Sequence, residues 1–342
     1  MTDQADGSAT GRRPTMIDVA RAAGVSLKTV SRVANDVPTV RPALAERVRT
    51  AMSDLGFQRN SVAANLRSGR TTGTIGLIIL DLANPFYSTI AAAAAEVAER
   101  FDTQLITASS GWDTAREREL VLDLCERRVD GLIIACTGGD QSYLDEIARG
   151  TPVVFIDSPP SGPRSDMVLL DNRTGTRDLF RRLIAEGHRE IGTITDTLND
   201  FTMRERLAGA REALREAGLE SGRHAARIYS DRPRSAGDAV GAMLDGPHPP
   251  TALFCGNNRI LLGAVEELVR RRSRLRLAAF DDFEFAPLLP HPVTVVSYDT
   301  RALGRLAAEM LFQRIGSPRT DPSTYVIPTY LIDRGTMIAD TG

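Results

Sequence analysis

From Thr74 onward the sequence repeats one pattern: a short β-branched or otherwise apolar run, then a stretch with apolar residues at helical spacing. The runs are Ile75–Leu80, Gln104–Thr107, Gly131–Ala135 and Val153–Ile156, followed by Ile191–Thr195, Ala252–Phe254, Leu275–Phe280 and Val293–Ser297. Strands that read as continuous apolar runs are buried on both faces, so the alternation predicts parallel sheets covered by helices. Arg206–Ala217 and Ile260–Arg271 are among the intervening helices. The first set of runs and the second share a rhythm without sharing identity, which predicts two similar lobes. In open α/β sheets ligands sit beyond the carboxyl ends of the strands, so the polar residues just after each run are the candidates for a site.

At 342 residues the chain is too long for one small domain. Hydrophobic residues at 42% and charged residues at 25% exclude a mostly disordered or fibrous chain. The longest apolar neighbourhood, Ile75–Ala98, is broken by Asp81, Asn84, Pro85 and Glu96, so no membrane span is expected. The polar stretch Thr2–Thr15 lacks the apolar core of a secretory signal, which points to the cytoplasm. Cys125, Cys136 and Cys255 form no C-x-x-C pair and lie in or beside apolar runs, as reduced core thiols do. No cofactor, metal or disulfide is expected. No Ser-His-Asp order or phosphate-binding loop appears, and His188, His224, His248 and His291 offer no catalytic constellation.

Charge is uneven along the chain. Residues 11–70 hold eleven Lys or Arg against four Asp or Glu, whereas the whole chain has a formal charge of −2. A basic module ahead of an acidic body suits a polyanion binder, since each cation placed on a phosphate releases condensed counterions. Within the module, Thr15 is an N-cap candidate for a helix with Ile17, Val19, Ala20 and Ala23 at helical spacing, ending at Gly24. Ser26 can cap a second helix through Asn35, with Val30, Val33 and Ala34 on its apolar stripe. Two such helices joined by a Gly turn have the geometry that lays the second in a DNA major groove. Pro42–Leu55 supplies a third helix through Ala45, Val48, Ala51, Met52 and Leu55.

The segments Ile17-Asp18-Val19-Ala20, Ala23-Gly24-Val25-Ser26, Thr29-Val30-Ser31-Arg32-Val33 and Asn35 resemble the headpiece of the lactose-repressor (LacI) family. The likeness continues through Leu55-Gly56-Phe57, Asn60 and Val62-Ala63-Ala64-Asn65-Leu66, similar to that family's hinge helix, and extends over nearly the whole chain. The resemblance implies an all-α helix-turn-helix headpiece plus an α/β two-lobed, periplasmic-binding-protein-like body with parallel sheets. The implied division is a tail at 1–14, the DNA-binding domain at 15–59, the hinge at 60–71 and the body at 72–342. Within the body, lobe 1 takes about 72–171 and 298–326, and lobe 2 about 172–297 and 327–340.

By that resemblance Leu27, Lys28 and Arg32 read base edges, while Thr15, Ser26, Thr29, Ser31, Asn35, Arg41, Asn60 and Ala63 are further DNA-binding positions. The chemistry agrees, since Lys and Arg donate to guanine N7 and O6 and Leu meets a thymine methyl. Leu66 occupies the place of the leucine wedged between central base pairs in the minor groove. Arg59 stands where Pro is usual, and Leu44 where a hydroxyl often contacts phosphate.

In the body, Asp81, Asn84 and Phe86 resemble the family's first effector loop, and Trp112 after the second strand could stack on a sugar face. Arg206 matches an effector-gripping arginine, whose planar fork suits vicinal hydroxyls or a carboxylate. Asn257 and Asp281 match further effector contacts, with Asn258 replacing the usual Asp, a shortened loop around Ser273, and Tyr298 in place of a usual Gln. A mixed donor and acceptor lining with an aromatic wall suits polyol recognition. The expected protein is therefore a non-enzymatic transcription regulator that binds palindromic double-stranded DNA, a sugar-like effector and a second copy of itself, as a dimer or a dimer-based tetramer. Alternatives left open are a nucleobase-responsive corepressed regulator, a stand-alone solute-binding module and an α/β enzyme.

Overall fold

A computed structural model of the protein describes residues 14–35, 37–57, 71–147, 150–161, 165–219, 225–227, 233–317 and 321–335. The chain forms two compact units, Met1–Thr72 and Gly73–Gly342. The expected hinge, with Asn60, Ala63 and Leu66, lies outside the described residues, as does the tail before Pro14.

The first unit holds helices α1 (Met16–Ala23), α2 (Leu27–Ala34) and α3 (Pro42–Asp54). Each start has a local cause. Thr15 forms a capping box, its backbone N–H donating to Asp18 Oδ2 at 2.8 Å while its hydroxyl accepts from Asp18 N–H at 3.4 Å. Ser26 Oγ accepts from Thr29 N–H at 3.2 Å, and Pro42 opens α3, where a missing N–H costs nothing. Gly24 at φ 60° ends α1 in the left-handed conformation, which turns the chain into α2 at no steric cost. Val19, Ala23, Val30, Val33, Ala45, Val48 and Ala51 form the core, closed at the turn by Arg47 donating to Ala23 O at 2.6 Å. Ile17 departs from expectation. It is 57% exposed because the α1 stripe that meets α2 and α3 runs through Val19 and Ala23.

The second unit contains two six-stranded sheets. In chain order its elements are β1 (Thr74–Ile79), α4 (Pro85–Arg100), β2 (Gln104–Ser109), α5 (Thr114–Glu126), β3 (Leu132–Ala135), α6 (Leu144–Ile147), β4 (Val153–Ile156) and β5 (Asp166–Leu170). The second half begins with α7 (Asn172–Ala185), β6 (Ile191–Thr195), α8 (Phe201–Glu216), β7 (Ala225–Arg227), α9 (Pro233–Leu244), β8 (Ala252–Cys255), α10 (Asn258–Arg271), β9 (Arg276–Phe280) and β10 (Val293–Ser297). Then come α11 (Thr300–Gly316), β11 (Thr324–Ile327) and β12 (Tyr330–Arg334).

The sheet orders are β11-β5-β4-β3-β1-β2 and β12-β10-β9-β8-β6-β7, so the duplicated rhythm of the sequence is a duplicated topology. Among the described residues all strand pairings are parallel except β10 with β12. The central strands β3, β4 and β8 are buried at every position, as continuous apolar runs require. Sequence reading missed β5, β7, β11 and β12. β5 carries a four-residue apolar run at 167–170 that the same rule could have found, whereas β7 has three residues, and β11 and β12 are edge strands with exposed faces. The chain crosses between the sheets after β5, after β10 and after β11. The last crossing lies at 328–329 rather than 326/327, because Ile327 still pairs with Leu170.

Helices that follow equivalent strands are brought close by single glycines. A Cβ on Gly209 of α8 would lie 2.1 Å from Arg173 O of α7, and one on Gly304 of α11 would lie 2.3 Å from Ile90 O of α4. Among the described residues no helix is long and apolar enough to cross a membrane.

Candidate functional sites

The exposed face of α2 is polar and basic. Val30 and Val33 anchor the helix, which leaves Leu27 at 48% exposure and turns Lys28 and Arg32 outward. Neither cation is held by another described residue, so both are available to a partner. Other polar groups expected to meet DNA already shape the helix ends. Ser26 Oγ and Thr29 Oγ1 are 2.9 Å apart, Asn35 Nδ2 donates to Ser31 O at 2.7 Å, and the Thr15 hydroxyl donates to Asp18 Oδ2 at 2.6 Å. Arg41 is exposed at the N-cap of α3 without a side-chain capping bond.

The second site lies at the carboxyl ends of the body strands. Asp157 and Asp281 each follow a strand, β4 and β9, at equivalent places in the two sheets. Both adopt positive φ, 68° and 71°, a left-handed conformation that aspartate tolerates better than most side chains. Asn84 and Asp200 are also equivalent, as N-caps of α4 and α8.

Arg206 is the centre of the lobe 2 wall. At 3% exposure it donates from Nε to Asn172 Oδ1 at 2.8 Å and from Nη1 to Gly256 O at 2.7 Å. Its fork closes on Asp281 through Nη1 to Oδ2 and Nη2 to Oδ1, both at 3.1 Å. The guanidinium carbon lies 3.8 Å from the centroid of the Phe280 ring. Of its five N–H groups, one on Nη2 remains. In this arrangement the fork expected to face an effector is occupied by Asp281, and Arg206 offers a single donor.

Asp281 also accepts from the Tyr298 hydroxyl at 2.7 Å, and Tyr298 meets Phe86 edge-on with ring centroids 6.2 Å apart. Phe86 packs in turn on Tyr87 at 4.8 Å. The Tyr87 hydroxyl faces Asp157 and works against the rise of its carboxyl. Burial pushes the Asp157 carboxyl up to about 7, with repulsion from Asp200 adding to it. Burial also raises Asp196 to about 6, against the hydrogen bond that Asn257 Nδ2 donates to Asp196 Oδ2 at 2.6 Å. The Asp200 carboxyl is raised for the same reason, although Arg206 opposes the shift.

Two polar contacts join the lobes beside this cluster. Asn84 Oδ1 accepts from Phe86 N–H at 3.1 Å and from Asn258 Nδ2 at 3.2 Å, and Arg259 pairs with Asp81. Asn257 sits one residue further back, capping α10 through Ile260 N–H at 2.9 Å. Asp81, Asn84, Phe86, Arg206, Asn257 and Asp281 thus gather in one region. Trp112 stands apart at 38% exposure, and no hydrogen bond or ring contact ties it to the cluster among the described residues.

Tyr87, Asp157, Asp196 and Asp200 were missed by sequence reading. Asp157 and Asp196 each follow a recognised strand, so the strand-end rule that found Asp281 could have found them. Asp200 carried a capping signal ahead of α8, whereas Tyr87 read as a core aromatic.

Two family patterns match the chain. The one described as periplasmic binding proteins and sugar binding domain of the LacI family covers residues 72–335, and the one described as bacterial regulatory proteins, lacI family, covers residues 15–60. The ribose operon repressor of Escherichia coli (strain K12) is 30% identical over 328 residues, which are 94% of this chain and 99% of that protein. The HTH-type transcriptional repressor PurR of Photobacterium profundum is 31% identical over 307 residues, 88% of this chain and 92% of that protein. Among solved structures, the Lac repressor dimer bound to operator and the anti-inducer ONPF superposes with a TM-score of 0.80 at 27% identity, covering 96% of this chain and 100% of that one.

Proposed function

The chain belongs to the LacI family of bacterial regulatory proteins, DNA-binding transcriptional regulators rather than enzymes, and from that membership we propose a repressor whose operator affinity is set by a sugar-like effector in the cleft between its lobes. The observation that carries the reading is that the cluster is assembled from both lobes, with Phe86, Tyr87 and Asp157 on one side and Arg206, Asp281 and Asp200 on the other. A ligand that binds both walls has different contacts in different lobe arrangements, which is the requirement for shifting a conformational equilibrium.

In this reading Leu27, Lys28 and Arg32 contact base edges in the major groove, and Thr15, Ser26, Thr29, Ser31, Asn35 and Arg41 support or contact the phosphates. Asn60, Ala63 and Leu66 form a hinge that meets its copy in the minor groove, with Leu66 as the wedge. The protein acts in the cytoplasm as a homodimer on two half-sites of a near-palindrome. Asp81, Asn84, Phe86, Trp112, Arg206, Asn257 and Asp281 serve the effector. Linkage makes the coupling reciprocal, so an effector that weakens operator binding is itself bound more weakly on operator. A nucleobase, as the PurR relatives suggest, finds less support, because the unpartnered buried atoms beside the cleft, Asp196 Oδ1 and Asn258 Oδ1, are acceptors and suit a hydroxyl-rich ligand.

The test is a pair of substitutions measured on specific and random duplexes. Leu66→Ala lowers affinity for the selected operator far more than for random DNA, and equal losses on both would remove the wedge assignment. Lys28→Ala weakens operator binding and relaxes preference at the base it reads, by about 1–3 kcal/mol.

A further inference from the structure

We propose that the cleft takes a polyhydroxylated ligand carrying an ammonium group, in chemical class an amino sugar or amino polyol, and turns away carboxylate and phosphate ligands. The proposal rests on the cleft being the effector site and adds the charge of what enters it.

The argument is a count of charges and donors. Asp157, Asp196, Asp200 and Asp281 all face Arg206, and Asp281 already holds its fork. The other cation near Asp196 is Arg259, which is paired with Asp81 in the other lobe. Among the described residues, Asp157, Asp196 and Asp200 therefore have no ion-pair partner of their own. Few charged donors remain as well. Tyr298 is committed to Asp281, and Asn257 and Asn258 each give one N–H to Asp196 and Asn84, which leaves the last N–H of Arg206 and the neutral amide N–H groups of Asn84, Asn257 and Asn258.

Acceptors, by contrast, stand open. Asp196 is 2% exposed, yet its Oδ1 accepts no hydrogen bond, and the same is true of Asn258 Oδ1 at 5% exposure. Buried polar atoms without partners are uncommon, and here both are acceptors in one acid-rich region. An anionic ligand would meet one charged N–H, a few neutral amides and several carboxylates. Hydroxyls satisfy acceptors, and an ammonium among them also offsets the surplus acid. A metal ion is not the natural occupant, since among the described residues no three acids, histidines or cysteines are grouped to hold one.

Protonation supports the same occupant. Asp157, raised to about 7, faces Tyr87, Asp200, Asp281 and Arg206, while Asp196, raised to about 6, faces Asn257, Asp200, Arg206 and Arg259. A bound cation favours the ionised form of both, so binding releases protons and tightens as pH rises through this range.

The experiment is calorimetry on the full chain with glucosamine and galactosamine, their neutral parents glucose and galactose, the matching uronic acids, and the 6-phosphates. The expected result is that an amine binds at least about tenfold tighter than its neutral parent and that neither acid series binds. Affinity for the amine rises between about pH 5 and about pH 7, below the range in which the amine itself loses its proton, and falls in Asp157→Asn and Asp196→Asn, uncharged near-isosteres that keep the fold. A uronic acid or phosphate binding as tightly as the amine, or no amine binding at millimolar concentration, overturns the proposal. If a probe binds and none of Asp157→Asn, Asp196→Asn or Asp281→Asn alters its affinity, it is the cleft assignment itself that fails.

Discussion

Asp157 and Asp281 hold the same place in the two lobes, one residue past β4 and past β9, with nearly the same φ. Their surroundings differ. Asp281 is clasped by Arg206 and Tyr298, whereas Asp157 has the Tyr87 hydroxyl and the repulsion of Asp200. Duplication of a fold fixes where a side chain stands and leaves its electrostatics to its neighbours. Lobe 2 is thereby locked through its aspartate, while lobe 1 carries an acid that burial penalises. Regions poised in this way are where a ligand can contribute most.

The comparison can be broken first at its strongest element. Asp281→Ala leaves a buried guanidinium without its carboxylate and should cost about 3–5 kcal/mol in chemical unfolding. A loss comparable to that of an exposed ion pair would show that the clasp is not what holds lobe 2. Next come the glycines that set the helix pairs, one for each lobe. Gly209→Ala and Gly304→Ala each force a methyl into a carbonyl oxygen of the facing helix, for a loss of about 1–3 kcal/mol by the same unfolding measurement. Unequal losses would sharpen which lobe tolerates rearrangement.

Asp157→Asn should act in the opposite direction. An ordinary aspartate titrates near 4, and the folded value is about 7, so the folded chain binds more protons across that interval. Stability therefore falls as pH rises from about 4 to about 7 and is level above it. The substitution removes this decline and raises stability at about pH 8 by on the order of 1–2 kcal/mol. Melting curves of both proteins across pH check it, and parallel curves would refute it. The smallest effect is expected at Arg259→Gln. The pair with Asp81 joins the lobes but is partly exposed, so the loss should stay below about 1 kcal/mol.

Much of this molecule was legible before its structure. Helix starts at Thr15 and Ser26, the Gly24 turn and the buried strands follow from local chemistry and apolar runs, which depend on neighbours in sequence. Arg206 and Asp281 were legible as site residues, but not as partners, because the pairing spans 75 positions and is made by the topology. The edge strands β11 and β12 were not legible, since one exposed face removes the unbroken run that marks β3 or β8. Ile17 misled for a related reason: helical spacing places it near the stripe, and only packing against two further helices decides which side is covered.

Selection of bound duplexes from a random pool by the full-length protein, with and without a ligand of each charge class, tests the central claim most directly. The account predicts recovery of a near-palindrome with a flexible pyrimidine–purine step at its centre, in an amount that changes when an amine-bearing polyol is present. Recovery of no preferred sequence, or of a palindrome indifferent to every ligand that the body binds, would contradict the coupling of cleft to headpiece.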